Sequence, residues 1–256
     1  MDGRQFKQLL LDLINEILVV PRGGKHHVDP APGSNFVLKS GGTKPWLHRI
    51  DKDLTCMSVY SVSSQDSDQF DIINVLKAIK DPRRKGDVVV PKGVIENIID
   101  EASGLAVPWL SGQKIDVVTT PQSSKTLSIK FAKKLAENLG ARFVAAGTLK
   151  DMQSASIAAE LPPSFKEKSI RGLSRSLERM KSSETQAIHD YFRPQDRKYI
   201  VGWQKGRAGA EISEGNNVLI VDDVLAGGST FGEMARVLRD GGATVAGCIS
   251  LFRTGR

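Results

Sequence analysis

The chain has 256 residues, 40% of them hydrophobic and 25% charged, which is enough apolar material for one large domain or two small ones and excludes a wholly disordered chain. No apolar run approaches the roughly 20 residues of a membrane helix, and the N-terminus lacks the residue order of a signal peptide, so we expect a cytoplasmic protein without a membrane partner. The net charge of +7 favours an anionic partner, although charge alone does not separate nucleic acid from a phosphorylated small molecule.

Cysteine and histidine are sparse and badly spaced for a zinc site. The two cysteines, Cys56 and Cys248, cannot form a disulfide framework or a four-thiolate zinc site, and we interpret both as buried apolar residues. His26 and His27 are adjacent, so neither a helix nor a strand would direct both at one metal ion. We therefore predict no zinc site, and we assign no protein metal ligand.

The beginning of the chain carries the weakest signals. Apolar residues between positions 6 and 18 recur at helical spacing and predict an amphipathic helix that ends by Pro21. Residues 21–55 have no clear period and are interpreted as a loop with room for a short hairpin. Residues 1–55 are therefore treated as an N-terminal extension of helix and loop.

From residue 56 onward, short apolar strands alternate with amphipathic helices. The predicted elements are, in chain order, a strand over 57–62, a helix over 70–79, a helix beginning after Pro91, a strand over 115–119, a helix over 124–139 and a strand over 142–146. The last three form a strand–helix–strand unit, and a crossover helix of this length predicts parallel pairing of its strands.

The second half repeats this unit after an interruption. Residues 150–197 are rich in Ser, Lys, Arg and Glu and predict a basic, mobile excursion with one polar helix near 170–190. A second unit follows, with a strand over 218–221, a helix over 230–239 and a strand over 243–252. We predict an α/β fold in which residues 56–256 form an open, mostly parallel, doubly wound sheet with helices on both faces.

The strongest functional signal is the segment VLIVDDVLAGGST at residues 218–230. Asp222 and Asp223 follow a buried strand, and open parallel sheets bind ligands at the carboxyl ends of their strands. The small-residue turn that comes next leads into a helix, so backbone N–H groups and two hydroxyls can surround a phosphate. Carboxylates that accept hydrogen bonds from ligand hydroxyls would thus lie next to donors that bind a phosphate. A ligand with both groups is ribose 5-phosphate.

This segment resembles the signature of the type I phosphoribosyltransferases, in which four apolar residues, two acids and two apolar residues precede a small loop. The resemblance implies that Asp222 and Asp223 hold the ribose hydroxyls of phosphoribosyl pyrophosphate. It also implies that the 5′-phosphate is held by Ala226, Gly227, Gly228, Ser229 and Thr230. Two positions differ from common patterns of the family. Gly227 stands where Thr, Ser, Ala or Arg is usual, and Ala226 replaces the aspartate of the hypoxanthine and guanine enzymes, which disfavours 6-oxopurine acceptors.

The resemblance implies a second element, a loop that grips pyrophosphate between a strand and a helix. Residues 116–125 fit it, and the residues placed to meet an anion at the helix N-terminus are Ser123, Ser124 and Lys125. Lys150, at the end of the next strand, is the candidate basic catalytic residue. The excursion lies where the family has a flexible catalytic loop. Its candidate anion contacts are Lys166, Lys168, Arg171 and Arg175.

The resemblance therefore implies an enzyme of nucleotide metabolism that transfers a phosphoribosyl group to a nitrogen nucleophile such as a nucleobase and releases pyrophosphate. Magnesium would arrive bound to the pyrophosphate oxygens of the substrate. The acceptor is not identified by the sequence. One alternative is a regulatory protein that binds phosphoribosyl pyrophosphate without turnover. Another is a nucleic-acid-associated factor resembling the ComF-type branch, whose usual cysteine zinc ribbon is missing here. We favour a small-molecule partner over nucleic acid, and we leave open whether the protein forms a homodimer.

Overall fold

The computed structural model describes residues 16–22, 25–29, 36–40, 44–64, 88–89, 92–121, 126–145, 158–159, 167–182, 191–193, 196–201 and 211–254. The helix predicted over 70–79 lies outside these residues, as do positions 6–15 of the first predicted helix. None of the described helices is both long and apolar enough to cross a membrane.

The described elements are twelve strands and four helices, besides a short 3-10 turn. The strands are β1 (Glu16–Arg22), β2 (Lys25–Asp29), β3 (Phe36–Ser40), β4 (Trp46–Arg49), β5 (Thr55–Ser64), β6 (Val88–Val89), β7 (Val117–Thr120), β8 (Arg142–Ala145), β9 (Ala158–Ala159), β10 (Ile200–Val201), β11 (Asn217–Leu225) and β12 (Thr244–Thr254). The helices are α1 (Lys92–Trp109), α2 (Thr126–Leu139), α3 (Glu167–Lys181) and α4 (Ser229–Asp240), and the 3-10 turn is Arg197–Tyr199.

Ten of these strands form one sheet in the order β6-β2-β1-β3-β5-β12-β11-β7-β8, with β4 also paired to β5. Five neighbours, from β5 through β12, β11 and β7 to β8, run parallel to one another. Strands β3 and β4 pair antiparallel along the other edge of β5. The predicted open, mostly parallel α/β sheet is confirmed.

The two predicted strand–helix–strand units wind away from the middle of the sheet in opposite directions. Strand β7 connects through α2 to β8 on one side, and β11 connects through α4 to β12 on the other. Because such crossovers are right-handed, α2 and α4 lie on opposite faces. The buried clusters agree, since Phe131 of α2 packs in the cluster that contains Leu219, and Phe231 of α4 packs in the cluster that contains Ile220. Helices therefore cover both faces, as predicted.

The N-terminal segment contains more strands than the sequence predicts. Strand β1 begins at Glu16, so the predicted helix does not extend to Leu18, and β1 forms an antiparallel hairpin with β2. Residues 17–20 are consecutive apolar residues that suit a strand, and cross-strand pairing outweighs the helical spacing that precedes them. Strands β3 and β4 likewise lie in the stretch that was interpreted as mostly loop.

The excursion contains the predicted polar helix, which begins and ends earlier than expected. Helix α3 spans Glu167–Lys181, and β9 pairs antiparallel with β10 to close a small separate sheet. The side chains of Leu173 and Met180 are buried, whereas Arg171 and Arg175 are exposed. A narrow apolar stripe therefore orders a helix that is otherwise polar.

The amino ends of β7 and β11 are joined by Asp116. Its Oδ2 accepts hydrogen bonds from the backbone N–H of Asn217 at 2.8 Å and from the Asn217 side-chain amide at 3.0 Å. These two hydrogen bonds are the main reason that the pKa of Asp116 lies below its usual value of 3.8. The contact fixes the two strands that flank the candidate site.

We expect Asp116→Asn to destabilise the protein near neutral pH and to lose this effect in acid. A carboxylate with a lowered pKa contributes stability above its unfolded-state pKa, and this contribution disappears as the pH falls through the folded-state pKa. Urea unfolding from pH 7 to pH 2 should therefore show a gap between parent and variant that closes below about pH 4. Glu137→Gln, which changes an exposed carboxylate on α2, is the control. A gap that stays constant over the whole pH range contradicts the expectation.

Candidate functional site

The strand order of the sheet reverses between β7 and β11, and in an open α/β sheet this is the point at which a crevice forms beyond the carboxyl ends of the strands. The connections leaving these two strands diverge to opposite faces, which leaves room for a ligand beyond their carboxyl ends. Pairing of β11 with β7 ends at Ile220, whereas pairing of β11 with β12 continues to Leu225. Asp222 and Asp223 therefore lie past the last β7 pair, at the side of the crevice, and β12 still holds the strand that carries them.

The two aspartates differ in exposure. Ile220, two residues before Asp222, packs with Cys56 in one buried cluster, so the alternation of the strand locates Asp222 toward the face that carries Cys56. The charge of Asp222 adds to the burial that raises the pKa of the Cys56 thiol. Asp222 is partly exposed and Asp223 is only 4% exposed. The backbone N–H of Asp223 donates a hydrogen bond of 2.8 Å to Asp222 Oδ1. The more accessible acceptor at this edge is therefore Asp222.

The turn after β11 ends in a glycine with a positive φ angle. Residues 226–228 connect β11 to α4, and Gly228 has φ 75° and ψ −4°, a left-handed conformation that side chains with a Cβ adopt at a cost. Gly228 is the N-cap of α4 and, as a glycine, has no side chain that could cap the helix. The first intrahelical acceptor is the Gly228 carbonyl, which receives the Gly232 N–H at 2.9 Å. The N–H groups of residues 229–231 thus have no acceptor inside the helix and are directed at the turn.

Helix α2 presents a second N-terminus at the same edge, on the opposite face. It begins at Thr126, a few residues after β7 ends at Thr120. The positive end of a helix dipole therefore lies on each side of the crevice. The predicted pyrophosphate residues of this connection, Ser123, Ser124 and Lys125, lie outside the described residues, and so do Lys150 and Lys166. The Lys168 side chain is likewise not described.

A basic residue that the sequence pattern did not indicate lies at the same edge. Arg253 is the register partner of Leu225 at the carboxyl end of β12. Its guanidinium carbon is 4.5 Å from the centre of the Trp46 ring, and its Nε donates to Ser61 Oγ at 3.3 Å. Because its partners are about 200 residues away in the chain, no local signal could have found this arrangement.

The described residues offer little for a protein-bound metal ion. Among them, no three His, Cys, Asp or Glu side chains come close enough together to hold one. The two carboxylates beside the crevice contain only four of the six oxygens that Mg²⁺ requires, so a Mg²⁺ ion there would take its other ligands from substrate oxygens and water.

Comparison with known proteins identifies one family and finds several solved structures of low overall similarity. The family model described as "Phosphoribosyl transferase domain" matches residues 95–256. No curated protein matches the sequence. An adenine phosphoribosyltransferase from Thermoanaerobacter pseudethanolicus is 19% identical and has a TM-score of 0.35, with 63% of this chain and 82% of that chain covered. The enzyme from Saccharomyces cerevisiae is 19% identical with a TM-score of 0.35, over 64% and 70% of the two chains. The enzyme from Trypanosoma brucei is 13% identical with a TM-score of 0.37, over 82% and 87%.

Proposed function

Since the chain belongs to the phosphoribosyltransferase domain family, we propose that it binds phosphoribosyl pyrophosphate in the crevice between β7 and β11 and transfers the phosphoribosyl group to a nitrogen nucleophile. The observation that carries the proposal is the arrangement at the end of β11, where two carboxylates lie within a few residues of an uncapped helix N-terminus. Acceptors for ribose hydroxyls and donors for a phosphate therefore lie together at the point where the strand order reverses.

The ribose 5-phosphate half of the substrate fits the β11 side of the crevice. The 5′-phosphate would accept hydrogen bonds from the uncapped N–H groups at the start of α4, helped by the hydroxyls of Ser229 and Thr230. The ribose hydroxyls would donate to the carboxylates of Asp222 and Asp223. Because Asp223 is nearly buried, its contact with a hydroxyl requires a small rearrangement at the strand end.

The pyrophosphate half fits the β7 side. The N-terminus of α2 supports negative charge there, and we assign the pyrophosphate contacts to the preceding connection with Ser123, Ser124 and Lys125, and to Lys150. Magnesium bound with the substrate would neutralise part of the pyrophosphate charge and so make it a better leaving group.

In the reaction, a lone pair on the acceptor nitrogen attacks the anomeric carbon while the bond from that carbon to the pyrophosphate oxygen breaks. The electrons of the breaking bond leave with pyrophosphate, and the ribose passes through a transition state that resembles an oxocarbenium ion. The protein's contribution is to hold both ends of the substrate and to place fixed negative oxygens beside the positive sugar. After the new bond forms, the proton on the attacking nitrogen passes to water or to an oxygen of the departing pyrophosphate.

A screen of nucleobases for pyrophosphate release tests this function. The full-length protein would be incubated with phosphoribosyl pyrophosphate, Mg²⁺ and one base at a time, and the reaction without base gives the hydrolysis baseline. We expect one base or one close chemical group of bases to accelerate release well above that baseline. Release at the baseline rate with every base contradicts transfer to a nucleobase and favours a regulatory protein that binds the substrate without turnover.

A further inference from the structure

Residues 44–54, which we call the strap, pack against the turn that precedes α4. Strand β4 of the strap pairs antiparallel with β5, and the strap then turns so that the Ile50 side chain covers two glycines. Ile50 Cγ1 lies 3.0 Å from the position that a Cβ on Gly228 would occupy, and Ile50 Cγ2 lies 3.4 Å from that on Gly232. Ile50 therefore fills the space that both glycines leave empty.

The strap holds Ile50 in a closed turn. The Ile50 N–H donates to the Leu54 carbonyl at 2.9 Å, the Asp53 N–H donates to Asp51 Oδ1 at 2.7 Å, and Arg49 Nε donates to the Asp51 carbonyl at 3.0 Å. Leu54 is 2% exposed and anchors the end of the turn in the cluster on the α4 side of the sheet. The position of Ile50 is thus fixed before any ligand binds.

The turn that Ile50 contacts has little packing of its own. Residues 226–228 carry one methyl group among them, Ala226 is exposed, and Gly228 is in a left-handed conformation that a free chain would leave easily. We infer that Ile50 is a positioning residue, which clamps this turn so that the first N–H groups of α4 point at the phosphate of the ligand. The inference rests on the proposed function, because the clamp has a purpose only where the turn holds an anion.

The clamp comes from a part of the chain that the family match does not include. The match begins at residue 95, whereas the strap ends at Leu54. The N-terminal segment therefore takes part in the phosphate site, and the site depends on residues that local motif analysis assigns to an extension.

Ile50→Ala tests the inference. A turn that is not preorganised must become ordered when the ligand binds, and this ordering lowers the affinity. We therefore expect the affinity of Ile50→Ala for ribose 5-phosphate to fall about tenfold. Its affinity for Mg²⁺-pyrophosphate should stay within about twofold of the parent. Titration calorimetry measures both. Hydrogen exchange without ligand should be faster at the amides of residues 228–232 in the variant. Ile50→Val keeps Cγ1 and Cγ2 and should retain the affinity and exchange of the parent protein.

Ile212→Ala is the matched control, since it makes the same substitution in the buried cluster on the α4 side of the sheet, outside the strap and the turn. It should lower thermal stability and leave ribose 5-phosphate affinity within about twofold of the parent. Equal losses of this affinity in the Ile50 and Ile212 variants would make Ile50 an ordinary packing residue and overturn the inference. Unchanged exchange at residues 228–232 in Ile50→Ala would do the same. A parent protein that binds neither probe overturns the proposed function, and the inference with it.

Discussion

Replacing Asp222 and Asp223 together with asparagine should abolish detectable binding of phosphoribosyl pyrophosphate. A hydrogen bond to a charged group contributes about 1.5–3 kcal/mol, so loss of both charges should cost about 3–6 kcal/mol, or roughly 10²- to 10⁴-fold in affinity. Asparagine keeps the size of aspartate but places an amide donor opposite a ribose hydroxyl. It also lacks the negative charge that would stabilise the positive sugar of the transition state. Titration calorimetry in the presence of Mg²⁺ measures the effect.

The single variants and a control define where the effect arises. Asp222 is the more exposed of the two acids, so Asp222→Asn should carry the larger share of the affinity loss, whereas Asp223→Asn should also change stability because its side chain is buried. Glu137→Gln alters an exposed carboxylate on α2 and should leave affinity unchanged. Parent-like binding by the double variant would contradict the assignment of the acids.

Gly228→Ala should be the most damaging substitution in the turn. A left-handed conformation costs a residue with a Cβ about 1–2 kcal/mol. The new Cβ would also lie 3.0 Å from Ile50 Cγ1, so the strap must shift. We expect the free energy of unfolding to fall by about 1–3 kcal/mol and the affinity for ribose 5-phosphate to fall about tenfold, measured by urea unfolding and calorimetry.

Gly232→Ala supplies the comparison for this prediction. Gly232 lies inside α4, and a Cβ there would meet Ile50 Cγ2 at 3.4 Å, an ordinary contact distance. Alanine favours the helix over glycine by about 1 kcal/mol, so this variant should be as stable as the parent protein or slightly more stable. Equal effects of the two substitutions would show that neither the φ angle nor the clamp matters.

The part of the site that could be predicted is the part encoded locally. In residues 218–230 a run of apolar residues, two acids and a small-residue turn follow one another directly, so the strand, the acids and the helix start could each be expected from neighbours in sequence. The alternation of strands and helices likewise predicted the parallel sheet, because each strand–helix–strand unit is one continuous segment. Strand β11 was predicted to end at Val221 and runs to Leu225, because pairing with β12 continues past the acids.

The part that could not be predicted depends on contacts between distant segments. Ile50 meets Gly228 and Arg253 meets Trp46 only because β4, β5 and β12 lie side by side. Cys56 and Cys248, far apart in the chain, are register partners on neighbouring strands, and both are buried as predicted. The assignments of Ser123, Ser124, Lys125 and Lys150 stay predictions.

A crystal structure of the protein with ribose 5-phosphate tests the central claim most directly. The phosphate should lie within hydrogen-bond distance of the backbone N–H groups at the start of α4, and the ribose hydroxyls should lie on the carboxylate of Asp222, with Asp223 close by. A sugar phosphate bound elsewhere on the molecule, with the crevice between β7 and β11 empty, would contradict the account.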